Sequence, residues 1–318
     1  MLDRWSDERF DLQAKIVVNA AGPWAHGLLG LLGEAAPRVK RVKGSHIVLP
    51  AIPDQGNAFL LTAQDGRVIF VIPWYGRTLV GTTETEVSEP GRSAATDDEV
   101  RYLLDGVKNG LPGISWSEND VIARYAGVRT LQAEDKHSLS AVTREFVILE
   151  PKPGLILPLG GKFTTARSDA ADIVNAVQRG LGIARTPSRT AAQPLPGTPQ
   201  TGEPFERWQA AMLPLLRRQN VDEECARWLT LRHGTGIGRI GELLRENPSW
   251  AQRLHPDAPF ITAEAILAVR DEMALSLEDV IRRRVPVALL AGLDRSWLLE
   301  CARLLAPELR CDVQTLMA

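Results

Sequence analysis

Between residues 184 and 204 the chain carries five prolines, Pro187, Pro194, Pro196, Pro199 and Pro204, with Gly197 and Gly202 among them. Proline fixes φ and lacks the amide hydrogen that helices and central strands require, so no regular element runs through such a stretch. This linker divides the 318 residues into two parts of different hydrophobic period. The part before it reads as short strands and the part after it, 205–318, as helices.

In the first part, Ala14–Asn19 (AKIVVN) is a β-branched run that ends in Ala20-Ala21-Gly22-Pro23, a buried strand opening onto a turn of small residues. Further strands are predicted at Ser45–Leu49, Ala58–Thr62, Val68–Ile72, Thr78–Thr82, Val121–Val128 and Phe146–Leu149. Asp65-Gly66 lies between two of them as a two-residue hairpin turn. Strands that follow one another without long crossovers point to an antiparallel or mixed sheet. One helix, Asp97–Val107, interrupts them, with Thr96 and Glu99 as a capping box. Gly154–Leu159 is another buried strand, followed by Gly160-Gly161-Lys162-Phe163-Thr164-Thr165 and a helix over Ala166–Gly180. After Phe205 the pattern is helical throughout, over Glu223–Arg232, Arg239–Glu246, Thr262–Met273, Leu277–Arg284 and Ser296–Leu305. Ser276 and Asp279 form a second capping box.

Composition excludes several classes of function. Lys and Arg total 37 against 39 Asp and Glu, a net charge of -2, so there is no basic field for nucleic acid. Three scattered cysteines, Cys225, Cys301 and Cys311, make neither a disulfide framework nor a zinc pair, and fit a reducing compartment. No metal site is expected. No apolar run approaches the roughly 18 residues of a membrane span, and the mixed charge of Met1–Arg9 gives no secretory signal. Neither a Ser-His-Asp order nor an HExxH spacing is present, so hydrolase chemistry has no support.

Local motifs leave alternatives open. Gly234-Thr235-Gly236-Ile237-Gly238 resembles a dinucleotide loop, but a helical segment precedes it, which favours a helix–helix turn. Arg282-Arg283-Arg284 follows Glu278 and Asp279 at helical spacing and reads as a self-paired, solvated face. Asn19-Ala20-Ala21-Gly22-Pro23-Trp24 is either an ordinary strand-to-helix turn or one whose small residues let a ligand reach the backbone. Gly160-Gly161-Lys162 is either a glycine turn with a surface lysine or a site offering amides and one cation to an electron-rich ring, phosphate or carboxylate. His46, taken alone, is a core or edge histidine, and Arg129 and Arg144 are surface ion-pair partners.

Together these segments resemble the FAD-dependent glycerol-3-phosphate dehydrogenases and oxidases, among the glutathione-reductase-like flavoenzymes related to D-amino-acid oxidase. The resemblance runs in order through Asn19–Trp24 (NAAGPW), Lys43–Val48 (KGSHIV), Phe70–Trp74 (FVIPW), Gly81–Glu84 (GTTE), Tyr125–Arg129 (YAGVR), Thr143–Glu145 (TRE) and Gly160–Thr165 (GGKFTT). Glu272-Met273-Ala274 with Leu277, Asp279 and Arg282–Arg284 resembles the family's carboxy-terminal domain. Thr130 departs from the proline usual after the arginine, and Phe163 from an aliphatic residue.

The resemblance implies an α+β chain. Residues 1–35 and 151–183 would be parts of a split FAD-binding domain, 36–150 a mostly antiparallel substrate-binding sheet, and 205–318 an all-helical domain. It also implies that a strand, a GxGxxG loop and a helix for the ADP half of FAD belong before residue 14, so the chain reads as amino-terminally truncated. Ala21, Gly22, Pro23 and Trp24 would lie against FAD, with Gly160, Gly161, Lys162, Thr164 and Thr165 facing the flavin. His46, Arg129 and Lys162 would be catalytic, and Arg144, Arg129 and Lys162 would hold the substrate, glycerol 3-phosphate. The implied reaction yields dihydroxyacetone phosphate, with electrons passing to a quinone in a dehydrogenase or to oxygen in an oxidase, the helical tail favouring the dehydrogenase branch. The implied location is the cytoplasm or the inner face of the cytoplasmic membrane. Two other readings stand beside it: a non-catalytic or split fragment, and a related flavin-dependent oxidase of amino acids or sarcosine.

Overall fold

The computed structural model describes residues 1–3, 6–34, 38–54, 56–91, 93–132, 145–199 and 202–317. The elements in chain order begin with β1 (Val17–Val18), α1 (Ala25–Leu31), β2 (Val39–Leu49), β3 (Phe59–Thr62), β4 (Val68–Trp74), β5 (Arg77–Gly81) and β6 (Thr85–Glu86). Next come α2 (Asp97–Gly110), β7 (Ala123–Gln132), β8 (Val147–Lys152), β9 (Leu155–Leu159) and α3 (Ala166–Gly180). The remainder holds α4 (Phe205–Arg218), α5 (Glu223–His233), α6 (Ile237–Glu246), β10 (Arg253–His255), β11 (Ala258–Ile261) and α7 (Thr262–Arg270). A π-helix over Asp279–Arg284 follows, then α8 (Val287–Ala291), α9 (Arg295–Leu309) and α10 (Val313–Met317).

Two compact units divide these elements. One comprises Met1–Ser45, Thr83–Ala94 and Ala126–Gln193, the other His46–Thr82, Ala95–Tyr125 and Pro194–Ala318.

In the first unit β1 runs parallel to β9, Val17 opposite Leu155 and Val18 opposite Ile156, and β8 pairs antiparallel on the far side of β9. The expected strand Ala14–Asn19 is therefore only two residues long. Residues 14–16 precede the first partner in β9 and face the β8–β9 turn, which has no ladder to offer. Ala25 and Leu29 of α1 cover the sheet, buried with Leu155, Leu157 and Leu159. Burying a leucine-sized side chain contributes about 1.5–3 kcal/mol, so this small core fixes where α1 begins.

In the second unit the carboxyl half of β2 joins an antiparallel meander ordered β3-β4-β5-β2. Side chains alternate across a strand. Ile47, Val80, Val71, Leu61 and Ile69 consequently share one face, packed on Val100, Leu103, Leu104 and Val107 of α2. As the sequence predicts, Thr96 caps α2. Its Oγ1 accepts from the Glu99 amide at 3.3 Å, and its own amide donates to the Glu99 carboxylate at 2.9 Å. The β3–β4 connection is a three-residue loop rather than a two-residue turn. The Ala63 amide donates to the Arg67 carbonyl at 2.8 Å, and Gly66 takes the last loop position.

The helical part of this unit packs around Phe260, Ile261, Ile266, Leu229, Ile240 and Leu243, all fully buried. It is not helical throughout: β10 and β11 form an antiparallel hairpin, with Arg253 opposite Ile261. Pro256 and Pro259 exclude a helix there. Helix α7 stops at Arg270, short of Met273, whose φ is +58°. The Gly234–Gly236 segment is a single 3-10 turn joining α5 to α6, as the sequence predicts. So is the self-pairing of the basic run: Arg283 meets Asp279 at 2.6 Å and Glu278 at 3.0 Å. Among the described residues no helix is long and apolar enough to cross a membrane, and no group of three or more His, Cys, Asp or Glu is placed to hold a metal ion.

Candidate functional site

Because β1 and β9 are adjacent and parallel, their carboxyl ends fall on the same edge of one sheet. Each opens into a 3-10 turn and then a helix: Gly22–Trp24 into α1, and Phe163–Thr165 into α3. Ligands of parallel α/β sheets bind outside this edge, where backbone amides point outward.

The first turn is tied down from beneath. Buried Asn19 donates its side-chain amide to the Ala25 carbonyl at 3.1 Å and accepts from the Ala21 amide at 3.3 Å. Above that tie Ala21 and Gly22 are open, Pro23 is half-buried, and the Trp24 ring is 60% exposed. Among the described residues nothing beyond its two chain neighbours lies within 4 Å of where a Gly22 side chain would start.

The second turn owes its shape to Gly160 and Gly161, with φ of +71° and +97°, a region that disfavours any side chain. A Cβ on Gly161 would also lie 3.0 Å from Asp169 Oδ2. The Lys162 amide donates to Thr165 Oγ1 at 3.3 Å, and that hydroxyl lies 2.8 Å from the Asp169 carboxylate. Lys162 and Thr164 are exposed, and Phe163 is 99% exposed.

Arg129, on β7 in the same unit, reaches the Thr83 carbonyl at 3.4 Å and pairs with Glu84 at 3.5 Å. The Glu84 side chain is only 8% exposed. The Thr83 hydroxyl accepts from the Ser45 amide at 3.0 Å and so anchors the segment that holds Arg129.

His46 belongs to the second unit. It is half-buried on β2 opposite Gly81 of β5, with the Tyr125 ring parallel to its own at 5.1 Å between centroids and 6° between planes. Burial pushes the Tyr125 hydroxyl above its ordinary value, so the phenol stays protonated. Arg144 lies outside the described residues.

The structure thus brings Ala21–Trp24 and Gly160–Thr165 to one sheet edge, with Arg129 in the same unit and His46 in the other. Sequence reasoning missed Glu84 as the partner of Arg129 and Tyr125 as the partner of His46. Both stand inside quoted motifs, GTTE and YAGVR, which were the available signal. None of these residues lines either of two clefts. One of about 580 Å³ is lined by Phe146, Asp172, Arg179 and Arg185; an apolar one of about 550 Å³ is lined by Leu277, Ile281, Leu289 and Leu293.

Residues 4–167 match the family model of the FAD dependent oxidoreductases. The chain belongs to that family. Residues 188–316 match a second model, the C-terminal domain of alpha-glycerophosphate oxidase. A mitochondrial glycerol-3-phosphate dehydrogenase of Arabidopsis thaliana is 30% identical over 302 residues, covering 89% of this chain and 47% of that protein. A glycerol-3-phosphate dehydrogenase of Synechocystis is 31% identical over 307 residues, covering 91% of this chain and 55% of that protein. The chain therefore spans about half the length of the curated relatives it matches. Among solved structures, the glycerol-3-phosphate dehydrogenase of Bacillus halodurans complexed with FAD aligns with a TM-score of 0.79 and 27% identity. That alignment covers 97% of this chain and 61% of that one.

FAD is the group that this oxidoreductase family implies, and the residues present fit it. A flat ring needs a backbone it can approach, and the open Gly22 and the glycine pair at 160 and 161 provide one. An anionic or electron-rich group needs outward amides and a cation, which the start of α3 and the exposed Lys162 supply.

Proposed function

We propose that the chain takes part in the FAD-dependent oxidation of sn-glycerol 3-phosphate to dihydroxyacetone phosphate, with electrons passing on to a quinone. One observation carries this reading: two open turns, both singled out from the sequence, share the carboxyl edge of adjacent parallel strands. Support comes from the order of the two family matches, an FAD oxidoreductase followed by the C-terminal domain of alpha-glycerophosphate oxidase. In this reading 1–35 and 151–183 form the cofactor part, 36–150 the substrate sheet and 205–318 a helical domain.

Bound flavin supplies the acceptor for the hydride that leaves C2. The chain's own residues manage charge and protons. Ala21–Trp24 and Gly160–Thr165 position the cofactor, and Lys162 adds positive charge beside it. A phosphomonoester carries about two negative charges at neutral pH, and Arg144 serves its oxygens as a planar fork. Arg129 holds the C2 oxygen, whose negative charge grows as the hydride departs. His46 takes the C2 hydroxyl proton, a task suited to an ordinary pKa near 6.5.

The test is anaerobic mixing of the FAD-loaded protein with sn-glycerol 3-phosphate. Loss of the oxidised flavin's visible absorption is the expected outcome. A protein that binds FAD and keeps that absorption with glycerol 3-phosphate, but loses it with amino acids or sarcosine, refutes the substrate and favours an amine oxidase.

A further inference from the structure

One row of residues crosses the outer face of the meander in the second unit. Leu60 on β3, Phe70 on β4, Gly81 on β5 and His46 on β2 are successive cross-strand partners. The adjacent row, Phe59, Val71, Val80 and Ile47, points to the opposite face and joins the core under α2. Leu60 and Phe70 are exposed, so the face that carries His46 is open.

An imidazole standing on such a face is poorly constrained by its own bonds, because histidine χ2 is broad and roughly two-fold. A proton acceptor needs one orientation, so something else must supply it. Two neighbours do. Gly81 leaves the space that the ring fills: a Cβ there would lie 2.2 Å from His46 Cδ2 and 2.7 Å from Cγ and Nε2. The Tyr125 ring lies nearly parallel to the imidazole, 6° between planes. Its hydroxyl stays protonated, so what Tyr125 presents is a neutral aromatic face.

We propose that Tyr125 is a positioning residue: its ring, with the bare Cα of Gly81, holds the His46 imidazole in the one orientation in which it can accept the substrate's proton. This rests on the reading of His46 as the base.

The experiment compares Tyr125→Ala, Tyr125→Phe and His46→Gln with the parent in the full chain carrying ring-labelled histidine. The His46 signals are assigned by their loss in His46→Gln. Nuclei stacked over an aromatic face resonate upfield, so in Tyr125→Ala they should move downfield while the other histidine signals stay in place. Anaerobic flavin reduction by glycerol 3-phosphate should slow about ten- to a hundredfold, the cost of a misplaced reacting group. KM should stay within about twofold, since ground-state binding is untouched. Tyr125→Phe, which keeps the ring, should match the parent in both readouts.

Unmoved His46 signals and an undiminished rate in Tyr125→Ala overturn the proposal. So does a Tyr125→Phe protein as slow as Tyr125→Ala, since the hydroxyl would then be the active part. If His46→Gln reduces flavin at the parent rate, the base assignment itself falls. If His46→Gln is inactive and Tyr125→Ala is unimpaired, only the positioning role falls.

Discussion

Glu264 and Lys162 are both charged residues in the opening turn of a helical segment, and the fold treats them in opposite ways. Glu264, its side chain 2% exposed, accepts from Arg232 Nε and Nη2 at 2.8 Å each, from His233 Nε2 at 3.0 Å and from the Ile261 amide at 2.9 Å. Every hydrogen bond described for Lys162 uses its backbone, and its ammonium makes no ion pair among the described residues. A buried charge is tolerable only when its partners replace water. Glu264 therefore joins α5, β11 and α7 and has no capacity left for a ligand. Lys162 stays in solvent on a turn held by its glycines, with its charge available. The difference separates groups that hold the molecule together from groups that a bound anion can use.

The sharpest way to break this contrast is to remove the buried member. Glu264→Ala strands the Arg232 guanidinium, which also lies over the Phe260 ring at 4.1 Å. Losing one partner of a buried pair costs about 3–5 kcal/mol, and urea denaturation of the full chain should show a loss of that size. A loss under about 1 kcal/mol, the range of an exposed pair, would mean that the cluster is not carrying the helical core.

A pH titration sharpens the same point. Burial alone would raise the Glu264 carboxyl, but the His233 hydrogen bond and the Arg232 charge outweigh it and hold the group below its ordinary value of 4.5. A group lowered on folding stabilises the fold fully above its unfolded pKa, and that contribution is lost as pH falls through the folded one. Stability should thus decline below about pH 4.5 more steeply in the parent than in Glu264→Gln. Asp222 contributes the same background to both proteins. Burial opposes its ionisation, but the Arg253 fork and the Cys225 amide hold it at about 2. Parallel declines in the two proteins would show that the Glu264 carboxyl titrates alike in the folded and unfolded chain, so that the cluster does not lower it.

Local sequence carries the features whose partners are close in the chain. The Thr96–Glu99 box, the Ser276–Asp279 box and the Gly234 turn are all legible, because each is complete within a few residues. The β10–β11 hairpin is signalled only by Pro256 and Pro259, and the strong helical pattern around it conceals them. The two open turns are legible as turns. Their use is not, because glycine, small residues and lysine serve a surface turn equally well. What changes the reading is the parallel pairing of β1 with β9, which unites segments far apart in sequence. Glu84 beside Arg129 and Tyr125 beside His46 were hidden for the same reason: a contact between segments far apart in the chain leaves no local spacing to read.

The smallest expected effect on stability comes from the exposed member of the opening pair. Lys162→Ala removes an ammonium with no ion pair among the described residues and leaves Gly160, Gly161 and the Thr165–Asp169 contact in place. Surface substitutions of this kind usually stay within about 0.5 kcal/mol, so urea midpoints of parent and variant should coincide. Flavin reduction by glycerol 3-phosphate should nevertheless fall, because the cation that the turn offers is gone. A stability loss approaching that of Glu264→Ala would place Lys162 among the groups that hold the fold. A stable variant that reduces flavin at the parent rate would leave the glycine turn to act through its backbone amides alone.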